Sequence, residues 1–423
     1  MARVLLVSQY YSPDITAAAH RITDLRRYLQ SRGHEVDVIT SFPHKAQVAQ
    51  VEVEEEVDKG VARVRLPSGA TSTFARLWEQ LTFSAKALGA FLVRFRNRKY
   101  NYIIASSPPL FVGVVGRLLA TWTGAGLILD IRDIWPGSVA AAGVFRGSSL
   151  PIRVASRLER WLYRVADYIT CVSQPMKEYL QQYVNPSIVW VVYNGVNITP
   201  PGPYHNEATT KDYTRGRKVG YHSSDERMDG TICLAYAGNI GLVQDIDVLV
   251  QALAYVRSDT LKRLQIRIIG SGPERNRLEA VVARDPVASR IISFEGPYAK
   301  NELDRILYSS VDALFIHLRS DPVLDRTIPS KVFDSCVYNL PIVYGLSGEG
   351  KEILGRLSGT LSFSQGSPES LAAALDELVQ RYKVYWVGAQ RHRSYVERHF
   401  TRERCFEPIL RILSNADTSS NQS

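Results

Sequence analysis

Lys331 and Asp334 stand three residues apart in Ile328–Asp334, IPSKVFD, just ahead of the apolar run Leu340–Tyr344. The pattern predicts a Pro-Ser turn, a helix and a buried strand. Residues three apart share one helix face. The first N–H groups of a helix are unpaired and its dipole is positive there, so that end favours anions. A lysine in this place suits phosphate, and a short carboxylate suits the paired hydroxyls of a ribose. Together they meet the needs of a nucleoside-diphosphate site. A capped surface helix, with Ser330 as N-cap and both charges in solvent, accounts for the same residues.

Three strand-end loops precede this segment. Ala235–Leu253, AYAGNIGLVQDIDVLVQAL, runs a strand into Gly238-Asn239-Ile240-Gly241 and then a helix. Gly238 and Gly241 permit a sharp turn and close backbone approach to an anion, although a plain strand–helix turn uses glycine equally. The spacing is not the G-x-G-x-x-G dinucleotide pattern. Ile268–Leu278, IIGSGPERNRL, forms a second loop with Gly270 and Gly272. Pro273 starts its helix and Arg275 in the first turn reaches either phosphate or solvent. Phe294–Leu303, FEGPYAKNEL, places Gly296 at the same end of the sheet, where a nucleobase has room to lie.

The elements that must carry these loops alternate. Strands at Val4–Val7, Val36–Thr40, Val61–Leu66, Tyr102–Ala105, Leu127–Ile131, Tyr168–Val172 and Ile188–Val192 are separated by helical patterns at Ala17–Arg32, Phe74–Arg98, Phe111–Thr121 and Pro151–Val165. Asn197–Gly230 is rich in Pro, Gly, Thr, Asp and Arg and breaks the rhythm, so it reads as an exposed connection. Alternation then restarts through Pro341–Tyr344. This predicts an α/β chain of two doubly wound Rossmann-like domains facing a cleft, with ligands at the carboxyl ends of parallel strands. The expected domains are 1–196 and 231–385, joined by 197–230. Helices at 386–414 follow, with the possibility of crossing back to the first domain, and 415–423 is expected to be a disordered tail.

The 423 residues fit two domains, and 45% apolar with 22% charged residues is a globular composition. No apolar run reaches the roughly 18–20 residues of a membrane span, and MARVLLVSQYYSP reads as a first strand rather than a leader. The four cysteines, scattered without a C-x-x-C pair, show neither a zinc nor a disulfide pattern and suit a reducing cytoplasm. A net charge of +9 admits nucleic acid, an anionic membrane surface or a phosphorylated substrate. No nucleic-acid-binding signature is present, which leaves membrane and nucleotide.

The order AGNIG, IIGSGPE, FEGP, TIPSKVFD and LPIV resembles the C-terminal domain of family 4 glycosyltransferases of the GT-B fold. The nearest subgroup makes bacterial surface polysaccharides, such as the colanic-acid and O-antigen fucosaminyl transferases. LLVSQYYSPDITAAAHRITDLRRYLQSRGHEVDVITSFPHK, ILDIRDIWPGSV and VVYNGVN resemble their N-terminal domain, so the likeness covers most of Val4–Leu354. The resemblance implies transfer of a hexose-type sugar, with retention, from a UDP- or GDP-sugar to a lipid-linked or oligosaccharide acceptor. It implies ribose binding at Asp334, where the family usually has glutamate, and diphosphate binding at Lys331 and the Gly241 loop. Arg326 stands where many members carry a second glutamate.

On this reading the donor side comprises Gly238, Asn239, Gly241, Gly270, Gly272, Arg275, Gly296, Ser330, Lys331 and Asp334. Arg132 and Asp133, in the strand-end run Leu129–Pro136, are candidates for acceptor binding or proton handling. An internal Arg–Asp anchor is the alternative. Ser12, Ala17 and His20 belong to the acceptor-side loop, with His20 orienting it. No Asp-x-Asp cluster is well placed for a divalent ion, so no metal and no cofactor is expected, and protein cations neutralise the leaving diphosphate. The basic, aromatic stretch Phe74–Arg98 suits an anionic interface, which predicts a cytoplasmic chain peripheral to the inner face of the membrane. A buried helix with a basic end satisfies it too. A sugar-nucleotide epimerase of the same fold and a non-catalytic sugar-nucleotide-binding homologue are the rival functions.

Overall fold

The computed structural model describes residues 1–14, 16–43, 58, 60–67, 73–138, 150–198 and 230–419. The chain divides into two compact units, residues 1–194 with 402–423, and residues 195–401.

The first unit is built on a parallel sheet of strands β1 (Arg3–Val7), β2 (Glu35–Ser41), β3 (Val61–Val64), β4 (Tyr102–Ser107), β5 (Gly126–Ile131), β6 (Tyr168–Cys171) and β7 (Val189–Val191). Its order is β3-β2-β1-β4-β5-β6-β7. Strands such as β4, YIIASS, are buried along their whole length, as a sheet covered on both faces requires. Helix α1 (Ala17–Ser31) lies between β1 and β2 and is capped by the Thr16 hydroxyl, which accepts from the Ala19 N–H. Helices α2 (Thr73–Arg94), α3 (Leu110–Thr123) and α4 (Leu150–Val165) connect β3 to β6 in the opposite direction across the sheet. Right-handed crossovers therefore place these three on the other face from α1. The short α5 (Gln174–Leu180) leads to β7.

The second unit repeats the plan with β8 (Ile232–Ala237), β9 (Leu264–Ile269), β10 (Ile292–Glu295), β11 (Ala313–His317), β12 (Ile342–Gly345) and β13 (Thr360–Ser362) in the order β10-β9-β8-β11-β12-β13. Its helices are α6 (Asp247–Ala252), α7 (Arg275–Arg284), α8 (Lys300–Ser310), α9 (Lys331–Cys336), α10 (Gly348–Gly355), α11 (Pro368–Gln380), α12 (Tyr382–Ala389) and α13 (His392–His399). Single helical turns lie at Ser258–Leu261 and Ala288–Ile291. In each sheet the order reverses beside the first strand, between β1 and β4 and between β8 and β11. Such reversal points open a crevice at the carboxyl ends.

Three expectations are corrected at the level of segments. The helix expected after the Gly238–Gly241 loop begins only at Asp247, because Asp245 takes a left-handed φ of 45°. Of the C-terminal helices, α12 and α13 stay with the second unit, and only α14 (Arg402–Ser419) returns to the first. Apolar residues explain the return: Phe406, Ile409, Ile412 and Leu413 join Tyr28, Leu29 and Tyr102 in one buried cluster. That helix runs to Ser419, into the part expected to be a disordered tail. The connection expected over 197–230 lies almost wholly outside the described residues, as does Ile15 in the acceptor-side loop.

Candidate functional site

At the second reversal point, the loop after β8 meets the start of α9. The Lys331 Nζ lies 2.5 Å from the Tyr236 hydroxyl and 3.8 Å from the centre of its ring. The Tyr236 hydroxyl in turn donates to the Asn239 carbonyl. Lys331 crosses directly over Gly238: a Cβ there would stand 2.4 Å from Lys331 Cε. Glycine at 238 is thus demanded by the lysine as well as by a φ of 145°. Burial pulls the Lys331 ammonium down to about 7, against the raising effect of Asp334. A lysine held by a phenol and a ring face, with its carboxylate neighbour acting only through space, would have its charged form favoured by an anion brought beside it.

Asp334 is pushed up to about 6 by burial, with Lys300 opposing, Asp304 adding, and a Ser330 hydrogen bond holding it down. Ser330 therefore corrects one expectation: its backbone is already helical, its hydroxyl makes no cap, and it supports Asp334 instead.

Three further donor-side residues prove to be scaffold. Arg275 donates to the carbonyls of Gly270, Glu295 and Gly296 and pairs with Glu279 at 2.7 Å. It welds the loops after β9 and β10 together and is no longer available to phosphate. Gly270 and Gly272 serve loop-on-loop packing, since a Cβ would stand 2.0 Å from the Gly238 carbonyl or 2.2 Å from that of Ile240. Gly241 is different. It lines a cavity of about 240 Å³ together with Asp245, Asp247, Arg277 and Arg319. Asn239 keeps its amide on Gln244 at 3.0 Å, and Gly296 turns its loop at a φ of 66°.

Sequence reasoning missed His317 and Arg319, which close this loop from the β11 side. The His317 Nδ1 lies 3.0 Å from the Gln244 carbonyl and 3.2 Å from that of Asp245. Its Nε2 accepts from the Gly366 N–H. Those partners assign a neutral ring protonated at Nδ1, and burial keeps its pKa below the ordinary value. The Arg319 N–H donates to the Val243 carbonyl at 2.8 Å. Its exposed side chain has no partner among the described residues, whereas Arg277 is tied to Asp247 and Glu274. A cationic residue two past a strand end was the available signal for Arg319.

The first unit fills its carboxyl end differently. Asp130 lies in β5 and Arg21 in α1; both are about 1% exposed and 2.9 Å apart. Arg21 also donates to the carbonyls of Val192 and Tyr193. Asp130 also accepts from Ser106 and Thr170. Burial alone would raise the Asp130 carboxyl, but Arg21 and the hydrogen bonds outweigh it and hold it below the usual range. Arg132 donates to the Ser106 hydroxyl at 2.9 Å and to the Pro108 carbonyl. It anchors the strand-end loop, which corrects its assignment to catalysis. Asp133 is half-buried and raised by burial, with Ser138 and the Ile134 N–H opposing. Glu159 on α4, also missed, is pushed up to about 7 by burial; Tyr163 donates to it at 2.6 Å, and Asp133 adds to the rise. Of the acceptor-side residues, Ala17 is exposed and His20 half-buried. Ser12 receives a bond from Arg63 at its carbonyl and donates its N–H to Thr23.

Two Rossmann-like units, one with a glycine-lined crevice beneath a lysine, follow the GT-B plan. Comparison with known proteins agrees. The glycosyl transferase 4-like domain matches residues 16–195, and the glycosyl transferases group 1 domain matches residues 232–381. The chain belongs to the family 4 glycosyltransferases of the GT-B fold. It is 24% identical over 429 residues to the Escherichia coli K12 colanic acid biosynthesis glycosyl transferase WcaI, covering 96% of this chain and 98% of that one. It is 21% identical over 397 residues to the Pseudomonas aeruginosa glycosyltransferase WbjE, covering 90% of each. Among solved structures it is similar to Anabaena HepE in complex with UDP-glucose, with a TM-score of 0.67, 14% identity, 98% of this chain and 100% of that one. It is also similar to the sucrose-phosphate synthase of Thermosynechococcus elongatus, with a TM-score of 0.73, 16% identity, 99% of this chain and 100% of that one. At these identities the structural likenesses speak for the fold.

Proposed function

We propose that this glycosyltransferase moves a hexose-type sugar from a UDP- or GDP-sugar to a polyprenyl-diphosphate-linked saccharide, with retention, in bacterial surface polysaccharide synthesis. The observation that carries the reading is Lys331 poised over Gly238 at the reversal point of the second sheet. Breaking the sugar–phosphate bond leaves negative charge on the diphosphate. Lys331 neutralises it, backbone N–H groups of the Gly238–Gly241 loop add hydrogen bonds, and no divalent ion is required. Asp334 receives the ribose hydroxyls. In the first unit Asp133 handles the acceptor hydroxyl's proton, and a half-buried carboxyl with a raised pKa is suited to that exchange. Colanic acid synthesis in the name of WcaI and bound UDP-glucose in HepE support the product and donor classes.

A thermal-shift panel of UDP-, GDP- and ADP-sugars tests the donor, because a ligand of the folded state raises the melting midpoint. Transfer of labelled sugar to polyprenyl-linked saccharide, assayed with chelator present, tests the rest. Asp133→Asn is expected to slow transfer by about 10²–10⁴-fold while leaving the nucleotide shift intact. Free hydrolysis or epimerisation of the donor with no transfer to any acceptor counts against the proposal.

A further inference from the structure

The helices α2, α3 and α4 cover one face of the first sheet, with α2 packed on α3 and α3 on α4. Each presents one tryptophan to solvent: Trp78 is 58% exposed, Trp122 62% and Trp161 42%. Leu77, Leu81, Leu92, Val93, Leu118 and Val154 are exposed on the same helices. Among the described side chains the charge is sorted as well. The acids of these helices, Glu79 and Glu159, are buried at 8% and 4% exposure, held by Gln9 and Tyr163. Lys86, Arg94, Arg153, Arg157, Arg160 and Arg164 stay on the surface. In the second unit several exposed cations carry acidic neighbours instead, as in Arg381–Glu377, Arg393–Glu397 and Lys300–Asp304.

Exposed apolar surface on a single chain marks an interaction site when it is contiguous. Tryptophans prefer the boundary between hydrocarbon and water, where ring and N–H are both satisfied. Exposed arginines beside them select an anionic partner. We infer that the α2–α3–α4 face docks flat on an anionic lipid bilayer, with Trp78, Trp122 and Trp161 seated at headgroup depth and Arg153, Arg157, Arg160 and Arg164 on lipid phosphates. This extends the proposed lipid-linked acceptor to the membrane that carries it. No helix of the described residues is long and apolar enough to cross that membrane, so the contact is at its surface. All seven side chains are exposed, and of the three tryptophans Trp122 meets a core ring, that of Phe91 at 6.1 Å, so melting is measured for every variant.

The test uses the full chain and vesicles of phosphatidylglycerol with phosphatidylcholine, against phosphatidylcholine alone. Cosedimentation is expected with the anionic vesicles and to fall with salt. Arg153→Glu/Arg157→Glu/Arg160→Glu/Arg164→Glu should weaken it by more than about tenfold. Trp78→Ser/Trp122→Ser/Trp161→Ser should also weaken it, and in the wild type brominated lipid should quench emission that this variant lacks. Unchanged melting and nucleotide shifts show that the variants remain folded and separate this result from the donor assignment. Equal binding to neutral vesicles, no binding, or folded variants that bind like wild type would overturn the inference. So would equal capture by duplex DNA with no effect of the tryptophans.

Discussion

The two sheets end alike and are finished differently. In the first unit the carboxyl end is closed by Arg21 and Asp130, buried, paired and hydrogen-bonded on nearly every side. In the second, backbone glycines leave space and Lys331 rests on a phenol alone. A satisfied charge holds the structure together, while an under-satisfied one keeps interaction energy for a ligand.

Breaking the satisfied pair has the largest expected effect. Asp130→Ala strands the Arg21 guanidinium in the core and should cost about 3–5 kcal/mol, read from urea unfolding. Gly270→Ala attacks the other region through the backbone. With a φ of 143° and the Gly238 carbonyl in the way, it should cost about 1–3 kcal/mol and abolish the nucleotide-induced melting shift. Lys331→Met should reverse that order of effects. Nucleoside-diphosphate affinity falls about tenfold to a hundredfold by titration calorimetry, as for a lost charged hydrogen bond.

The same lysine sets a pH dependence of known sign. Its folded pKa, about 7, lies below the ordinary 10.5, so between those values the unfolded chain holds the extra proton. Stability should therefore rise with pH across that window, and Lys331→Met should flatten the rise. Diphosphate affinity should run the other way, declining above pH 7 as the ammonium is lost. Affinity that stays level from pH 6 to pH 9 would remove Lys331 from the diphosphate site. The smallest effect belongs to Arg319→Ala, expected to weaken the diphosphate about threefold to tenfold with no change in melting. An unchanged dissociation constant would leave the cavity beside Gly241 without a role in donor binding.

Much of this was legible in the sequence because its signals are local. Buried strands such as ILDI and YIIASS and the glycine turns declare themselves within a few residues, and IPSK placed Lys331 at its crevice. What depends on distant partners was not legible. Asp130 pairs across 109 residues and Arg275 grips three carbonyls from two loops. Their neighbours Arg132 and Lys331 look no different as letters. A carboxylate inside the apolar strand LILDI was nonetheless a clue, since a buried charge must have a partner. Glu159 gave less warning, because one acid in an arginine-rich helix reads as a solvent-facing residue.

Helix α14 has a consequence for synthesis. The chain leaves the first unit after Asn194 and re-enters it only at Arg402, past a bridge between Val196 and Thr401. The half that emerges first from the ribosome thus waits for its last piece, with the Tyr28 and Leu29 side of α1 uncovered until Phe406 and Ile409 arrive. The continuous second half can close sooner, and a chain cut before Arg402 would leave that side of α1 uncovered.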